Sequence, residues 1–158
     1  MATKLKPVTI ENGILIWRNF AGKAGAFNPP GSRNFNVILP EDVAKAMSAD
    51  GWNVKVKEPR EEDDDVFYFL PVAVGFDGAR PPAIFVMPET NLHKRTRLDV
   101  DTVNMLDWAH IVNADLVVRP YEWEANGKTG IKAYLQSLYV IIEQDALAAK
   151  YDLDPDEA

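Results

Sequence analysis

A chain of 158 residues with 47% hydrophobic and 26% charged content has room for one domain with a real core and the composition of an ordinary water-soluble fold. No apolar run approaches the about 20 residues that cross a bilayer, MATKLKPVTI lacks the apolar core and cleavage site of a secretory signal, and the lack of cysteine excludes disulfides, thiolate nucleophiles and cysteine metal sites. The formal net charge of −7 argues against a polyanionic partner only until the acids are located. EEDDD (61–65) holds five of them, and the stretch after Ile142 holds six against Lys150 alone. In the remaining body thirteen acids face sixteen bases. The reading is a soluble, intracellular, single-domain protein without a membrane partner.

In chain order, Val8–Trp17 predicts a strand interrupted at Asn12-Gly13, followed by a Gly/Pro-rich loop that ends at Phe35. Phe35–Leu39 is a second strand. PEDVAKAMSADG carries helix logic over 41–50: Pro40 and two acids at the start, Val43, Ala46 and Met47 on one face, Gly51 as the stop. In WNVKVK (52–57), Trp52, Val54 and Val56 alternate with Asn53, Lys55 and Lys57 as in a strand. VFYFLPVAVGF (66–76) is a long strand in which Pro71 implies an edge or a bulge. AIFVM (83–87) is a further strand and HKRTRL (93–98) a basic connector. VDTVNMLDWA (100–109) fits a short helix with Val103 and Leu106 inward, capped by Asp99 or Asp101. Two long strands then close the domain around Asn126-Gly127.

The sum is a mainly β protein with two short helices. Three strands, a helix and two strands is the order of an OB-fold-like barrel, with 41–57 as an inserted helix–strand segment. A β-sandwich with inserted helices is the competing architecture. The division expected is a domain over 1–142 and an acidic C-terminal tail over 143–158.

The closing hairpin, RPYEWEANGKTGIKAYLQ (119–136), carries the strongest functional pattern. Asn-Gly favours a two-residue type I′ turn. That turn sets Ala125 opposite Lys128, Trp123 opposite Gly130, Tyr121 opposite Lys132 and Arg119 opposite Tyr134. Because strand side chains alternate, one face collects Arg119, Tyr121, Trp123, Lys132 and Tyr134. The other collects Val118, Pro120, Ile131, Ala133 and Leu135, with Glu122 towards the tip; Lys128, opposite Ala125, joins the first face as a candidate contact. The first face is too charged to bury and too aromatic for ordinary surface. Rings beside cations suit single-stranded nucleic acid, whose bases stack while its phosphates meet Lys and Arg. The bland alternative is cation–π stabilisation of the hairpin alone.

A second stretch, WRNFAGKAGAFNPPGSRNF (17–35), repeats this chemistry. Trp17 and Phe35 are expected to pin the loop to the core, leaving Phe20 and Phe27, with Arg18, Lys23 and Arg33, as ligand contacts. In OB-folds the loop after the first strand and the loop between the last two flank the binding face. Lys55 and Lys57 extend a phosphate track, as do Lys94, Arg95 and Arg97 in the connector.

Catalytic patterns are missing. GKTG (127–130) lacks the P-loop's first glycine, since Glu122 stands there. His93 and His110 form no metal motif, EEDDD reads as a solvated acidic segment, and no nucleophile elbow or dinucleotide fingerprint is present. No cofactor, metal or enzymatic activity is expected.

Taken together, GWNVK (51–55), LDWA (106–109), RPYEW (119–123), NGKTGIKAYL (126–135) and LYV (138–140) give a sequence that resembles the single-stranded DNA-binding proteins of tailed bacteriophages, especially those of actinobacterial hosts. The resemblance runs from about Ile10 to Leu153. It implies an OB-fold that coats single-stranded DNA without sequence preference during phage replication and recombination, in the host cytoplasm. DLDPDEA would serve as the acidic tail by which such proteins recruit replication or recombination partners and compete with DNA, and the open edges of an OB-fold allow a homodimer. The alternative function is a structural or assembly protein of the phage particle that uses the aromatic hairpin as a subunit interface. An RNA binder is a weaker third reading.

Overall fold

Alternation of apolar and polar residues is realised as eight strands in a computed structural model that describes residues 5–25, 28–57 and 66–143. They are β1 (Val8–Asn19), β2 (Arg33–Leu39), β3 (Lys55–Lys57), β4 (Phe67–Val74), β5 (Ala83–Pro88), β6 (Thr96–Leu98), β7 (Ile111–Ala125) and β8 (Lys128–Ile142). One α-helix, α1 (Glu41–Ala49), and a 3-10 turn (Val103–Asp107) complete them. EEDDD and the acidic tail beyond Glu143 lie outside the described residues.

Five strands close into a barrel in the order β1–β2–β4–β8–β7 and back to β1. All neighbours are antiparallel except β4 and β8, which run parallel where Val72 meets Ala133 and Ala73 meets Tyr134. This is the strand order of an OB-fold-like barrel, and α1 with β3 is the segment inserted between its second and third strands.

Each strand of the closed barrel has two neighbours, and β1 takes its two one after the other along its length. β1 does so through breaks in its pleat. Val8–Gly13 pairs with β7 and Ile14–Asn19 with β2. Asn12 stands at the handover with φ 55°, and its N–H donates to Asp115 Oδ1 at 2.9 Å. A second irregularity follows at Trp17, with φ 48°. Such bulges bend a strand and re-aim its side chains. Pro71 sits at neither an edge nor a bulge: it falls where β4 changes partner from β3 to β8, where one ladder has ended and the next begins.

The barrel is filled by Phe20, Phe35, Leu70, Leu116, Leu135 and Leu138, all fully buried, and no polar or charged residue among those described is buried with them. Val103 and Leu106 of the 3-10 turn point inward as the sequence predicts. In α1 it is Ala44, not Ala46, that is buried beside Met47. The sequence reads HKRTRL (93–98) as a basic connector, and within it Thr96–Leu98 forms β6. It pairs with β5, which in turn runs parallel to the second half of β8 and widens the sheet beyond the barrel.

Candidate nucleic-acid interface

The type I′ turn forms, with φ 52° at Asn126 and 77° at Gly127. It imposes the register read from the sequence: Ala125–Lys128, Trp123–Gly130, Tyr121–Lys132 and Arg119–Tyr134 all stand opposite each other. Val118, Ile131, Ala133 and Leu135 are consequently buried. On the other face Tyr121 is 56% and Trp123 41% exposed, Lys132 is exposed, and Arg119 and Tyr134 are half-buried. Lys128 stands exposed at the tip.

Tyr134 is the centre of this face. The Arg119 guanidinium carbon lies 5.6 Å and the Lys132 ammonium 5.2 Å from its ring centroid, and Tyr121 meets it edge-on at 5.7 Å. Among the described residues, Arg119 Nε is buried without a hydrogen-bond partner, and its Nη2 reaches the Arg80 carbonyl at 3.4 Å. A guanidinium held with spare donors has capacity for a phosphate oxygen. Trp123 owes its position to Gly130. A Cβ at Gly130 would stand 2.6 Å from the indole, so the missing side chain is what lets the ring lie across the hairpin.

Barrel closure carries this face onto the neighbouring strands. Pairing places Asn19, Asn34, Ala73, Tyr134 and Arg119 in one row across β1, β2, β4, β8 and β7. Beneath it run two adjoining grooves. One, of about 530 Å³, lies between Asn34, Asn36, Pro71, Trp52, Trp123 and Lys132; the other, of about 490 Å³, lies between Arg33, Ala73, Phe76, Arg119, Lys132 and Tyr134. Both are lined by Ser32, Arg33, Ala73 and Lys132, so they form one continuous trough. Among the described residues, Asp77 is the acid that lines it. Other acids, Asp50, Glu122 and Glu124, line a hollow that adjoins the first groove at Gly51, Trp123, Thr129, Gly130 and Ile131.

The loop after β1 departs from expectation. Phe20 is not a surface ring: it is 0% exposed and stacks on Phe35 at 5.0 Å. Asp107 fixes the chain there by accepting the N–H groups of Phe20 and Ala21. Arg18 is likewise engaged in the fold, donating to the carbonyls of Leu106 and Ala109 at 2.8 Å each. Arg33 donates to the Phe20 carbonyl and lies over Phe76, yet still lines the trough. Lys23 is exposed on the loop, and Phe27 lies outside the described residues.

Trp17 is the reverse case. Expected in the core, it is 53% exposed and packs edge-on against Phe69 at 4.9 Å, with Phe67 at 6.3 Å. Phe67 and Phe69 alternate with the buried Leu70, Val72 and Val74 side of β4 and so face outward beside Pro71 and Ala73. Lys55 pairs with Phe69 and Lys57 with Phe67 across β3 and β4, bringing two cations to this second aromatic cluster. The parity of FYFLPVAV carried the signal for both phenylalanines.

Among the described residues, no three His, Asp or Glu side chains converge on a metal position, and no helix is long and apolar enough to cross a membrane. The class this defines is an OB-fold protein whose outer face, over β2, β4, β7 and β8, is a trough edged by rings and cations.

The family model described as "Putative phage ssDNA-binding domain" matches residues 1–157, and the chain belongs to that family. Solved structures similar in fold include the single-stranded DNA-binding protein from bacteriophage Enc34 in complex with ssDNA, with a TM-score of 0.59 at 13% identity over 91% of this chain and 95% of that one. The same bacteriophage Enc34 protein alone gives 0.57 at 12% identity over 85% and 80%, and its C-terminal truncation gives 0.57 at 13% over 91% and 95%. No curated protein matches the sequence.

Proposed function

We propose that the protein binds single-stranded DNA along the trough, without sequence preference, and protects it during phage replication and recombination in the host cytoplasm. The observation that carries the reading is the row Asn34–Ala73–Tyr134–Arg119, where a half-buried ring with two cations beside it faces an open groove. Bases stack on Tyr134, Trp123 and Tyr121, and phosphates are met by Arg119, Lys132, Arg33 and Lys128. Trp17, Phe67 and Phe69 with Lys55 and Lys57 take the strand at the other end. Every base has a π-face, so stacking of this kind is indifferent to sequence. Duplex DNA hides its bases and gains only the phosphate contacts. The function is one of binding, with no catalytic step.

Membership of the phage family supports this reading, as does the likeness to a fold solved with ssDNA. The acidic tail is proposed to recruit replication or recombination proteins and to compete with DNA for the basic face. A homodimer would lengthen the short track that one barrel offers.

Tryptophan fluorescence during titration with a mixed-sequence single strand and with its duplex, each at two salt concentrations, tests the proposal. Quenching by the single strand that weakens with salt, and little response to duplex, is the expected result. No response to the single strand at low salt would overturn it and favour a subunit interface of the phage particle instead.

A further inference from the structure

Outside the trough, the sheet extension carries a second association of rings and cations. Phe85 on β5 stacks on Tyr139 on β8, with centroids 5.2 Å apart and planes 17° from parallel. The Arg95 guanidinium lies 5.5 Å from the Phe85 ring and 5.6 Å from the Tyr139 ring, and Arg97 lies 5.8 Å from Phe85. Pairing sets Arg97, Phe85, Tyr139 and Asp115 in one row across β6, β5, β8 and β7. Tyr139 is 37% exposed and both arginines are exposed. Among the described residues neither guanidinium has a carboxylate partner. Asp115, at the end of the row, already accepts the Asn12 N–H.

The chain brings this patch into line with the trough. Simple alternation from the buried Leu135 would turn Tyr139 inward. An extra residue in β8, between Leu135 opposite Val118 and Ser137 opposite Val117, shifts the phase. Leu138 and Val140 are thereby buried, and Tyr139 faces outward as Tyr134 does. The two tyrosines lie five positions apart along β8, about 16 Å at about 3.3 Å per residue. Val100, three residues after Arg97, lines the trough beside Arg119 and Tyr134, so the connector from the patch ends at the groove.

Resting on the proposed function, we infer that Phe85, Tyr139, Arg95 and Arg97 form a second single-strand contact that continues the track along β8. The strand leaving Tyr134 runs over the stacked pair, and the two guanidiniums meet its phosphates. The barrel strands alone do not build this patch; β5 and β6 add it.

The test is a length series of single-stranded oligonucleotides bound to the full chain and to R95Q/R97Q, each at several salt concentrations. The wild type is expected to gain affinity with length until both contacts are filled. The variant should match it on short oligonucleotides and plateau at a shorter length. On long ones the slope of log affinity against log salt should drop by about 1.4, from about 0.7 per phosphate contact. Equal plateaus and slopes for the two proteins overturn the inference while leaving trough binding intact; no wild-type binding at any length overturns both. A second measurement does not depend on a variant: arginine modification by phenylglyoxal in the wild type should be blocked at Arg95 and Arg97 by long oligonucleotides and not by short ones. Equal labelling with and without the long strand contradicts the inference.

Discussion

Arg119 and Tyr134 stand directly opposite each other across the closing hairpin, with the guanidinium carbon 5.6 Å from the ring centroid. One supplies charge and the other a stacking surface, and their losses are separable. Tyr134→Ala should weaken single-strand affinity by about 10-fold or more, from about 1–3 kcal/mol per stacked base, with little change in salt dependence. Arg119→Gln should lower the salt slope by about 0.7. Titrations at three salt concentrations separate the two effects. A Tyr134→Ala variant of undiminished affinity would remove the ring from the binding face.

Gly130 gives Trp123 its place. Gly130→Ala puts a methyl where the indole now lies, 2.6 Å from the nearest ring carbon, and the exposed ring must swing away. The expected result is an altered tryptophan emission and an about fivefold loss of single-strand affinity, a loss smaller than one whole stacked base, with the thermal midpoint nearly unchanged. Wild-type affinity in this variant would show that the indole does not need that position.

Phe20 belongs to the core, so its truncation should act on stability alone. Phe20→Ala should cost about 3–5 kcal/mol, read by denaturant unfolding. Affinity per folded molecule should stay at the wild-type value. A selective loss of binding would return Phe20 to the interface.

Trp17 is the converse. Being exposed, Trp17→Ala should change unfolding free energy little, while single-strand affinity falls by about 10-fold if one base stacks there. Unchanged affinity would end the track before the Trp17–Phe69 cluster.

Asp99 provides a pH dependence. Its carboxylate accepts the Thr102 hydroxyl and the backbone N–H groups of Asp101 and Thr102, contacts that hold its pKa below the usual value. A carboxylate depressed on folding contributes stability above its unfolded pKa of about 3.9 and loses it as pH falls through the folded value. Thermal unfolding of the wild type and Asp99→Ala should therefore differ at pH 6 and converge as the pH drops below the usual carboxylate range. A constant difference would contradict this.

The hairpin was legible because its information is local: Asn-Gly dictates the turn, the turn dictates register, and register assigns every side chain to a face. The same logic failed at Trp17, where alternation from the buried Leu15 points the ring inward. The left-handed backbone at Trp17 breaks that phase, a cost met only because the strand must bend for the barrel to close. Phe20, three residues on, then falls inside. Closure itself depends on β4 meeting β8 in parallel, a contact between residues some sixty positions apart that no local pattern announces. The strand Thr96–Leu98 was hidden for a different reason: it is short, and its exposed Arg97 gives it the composition of a connector.

Photo-crosslinking of the full chain to a single strand carrying 5-iododeoxyuridine, with adducts located by mass spectrometry, tests most directly where the DNA lies. Adducts at Tyr134, Trp123 and Trp17 are expected. Trp108 is the internal control, since it is 76% exposed just after the 3-10 turn but lines neither groove of the trough. Adducts at Trp108 with none along the row from Asn34 to Arg119 would contradict the proposed path.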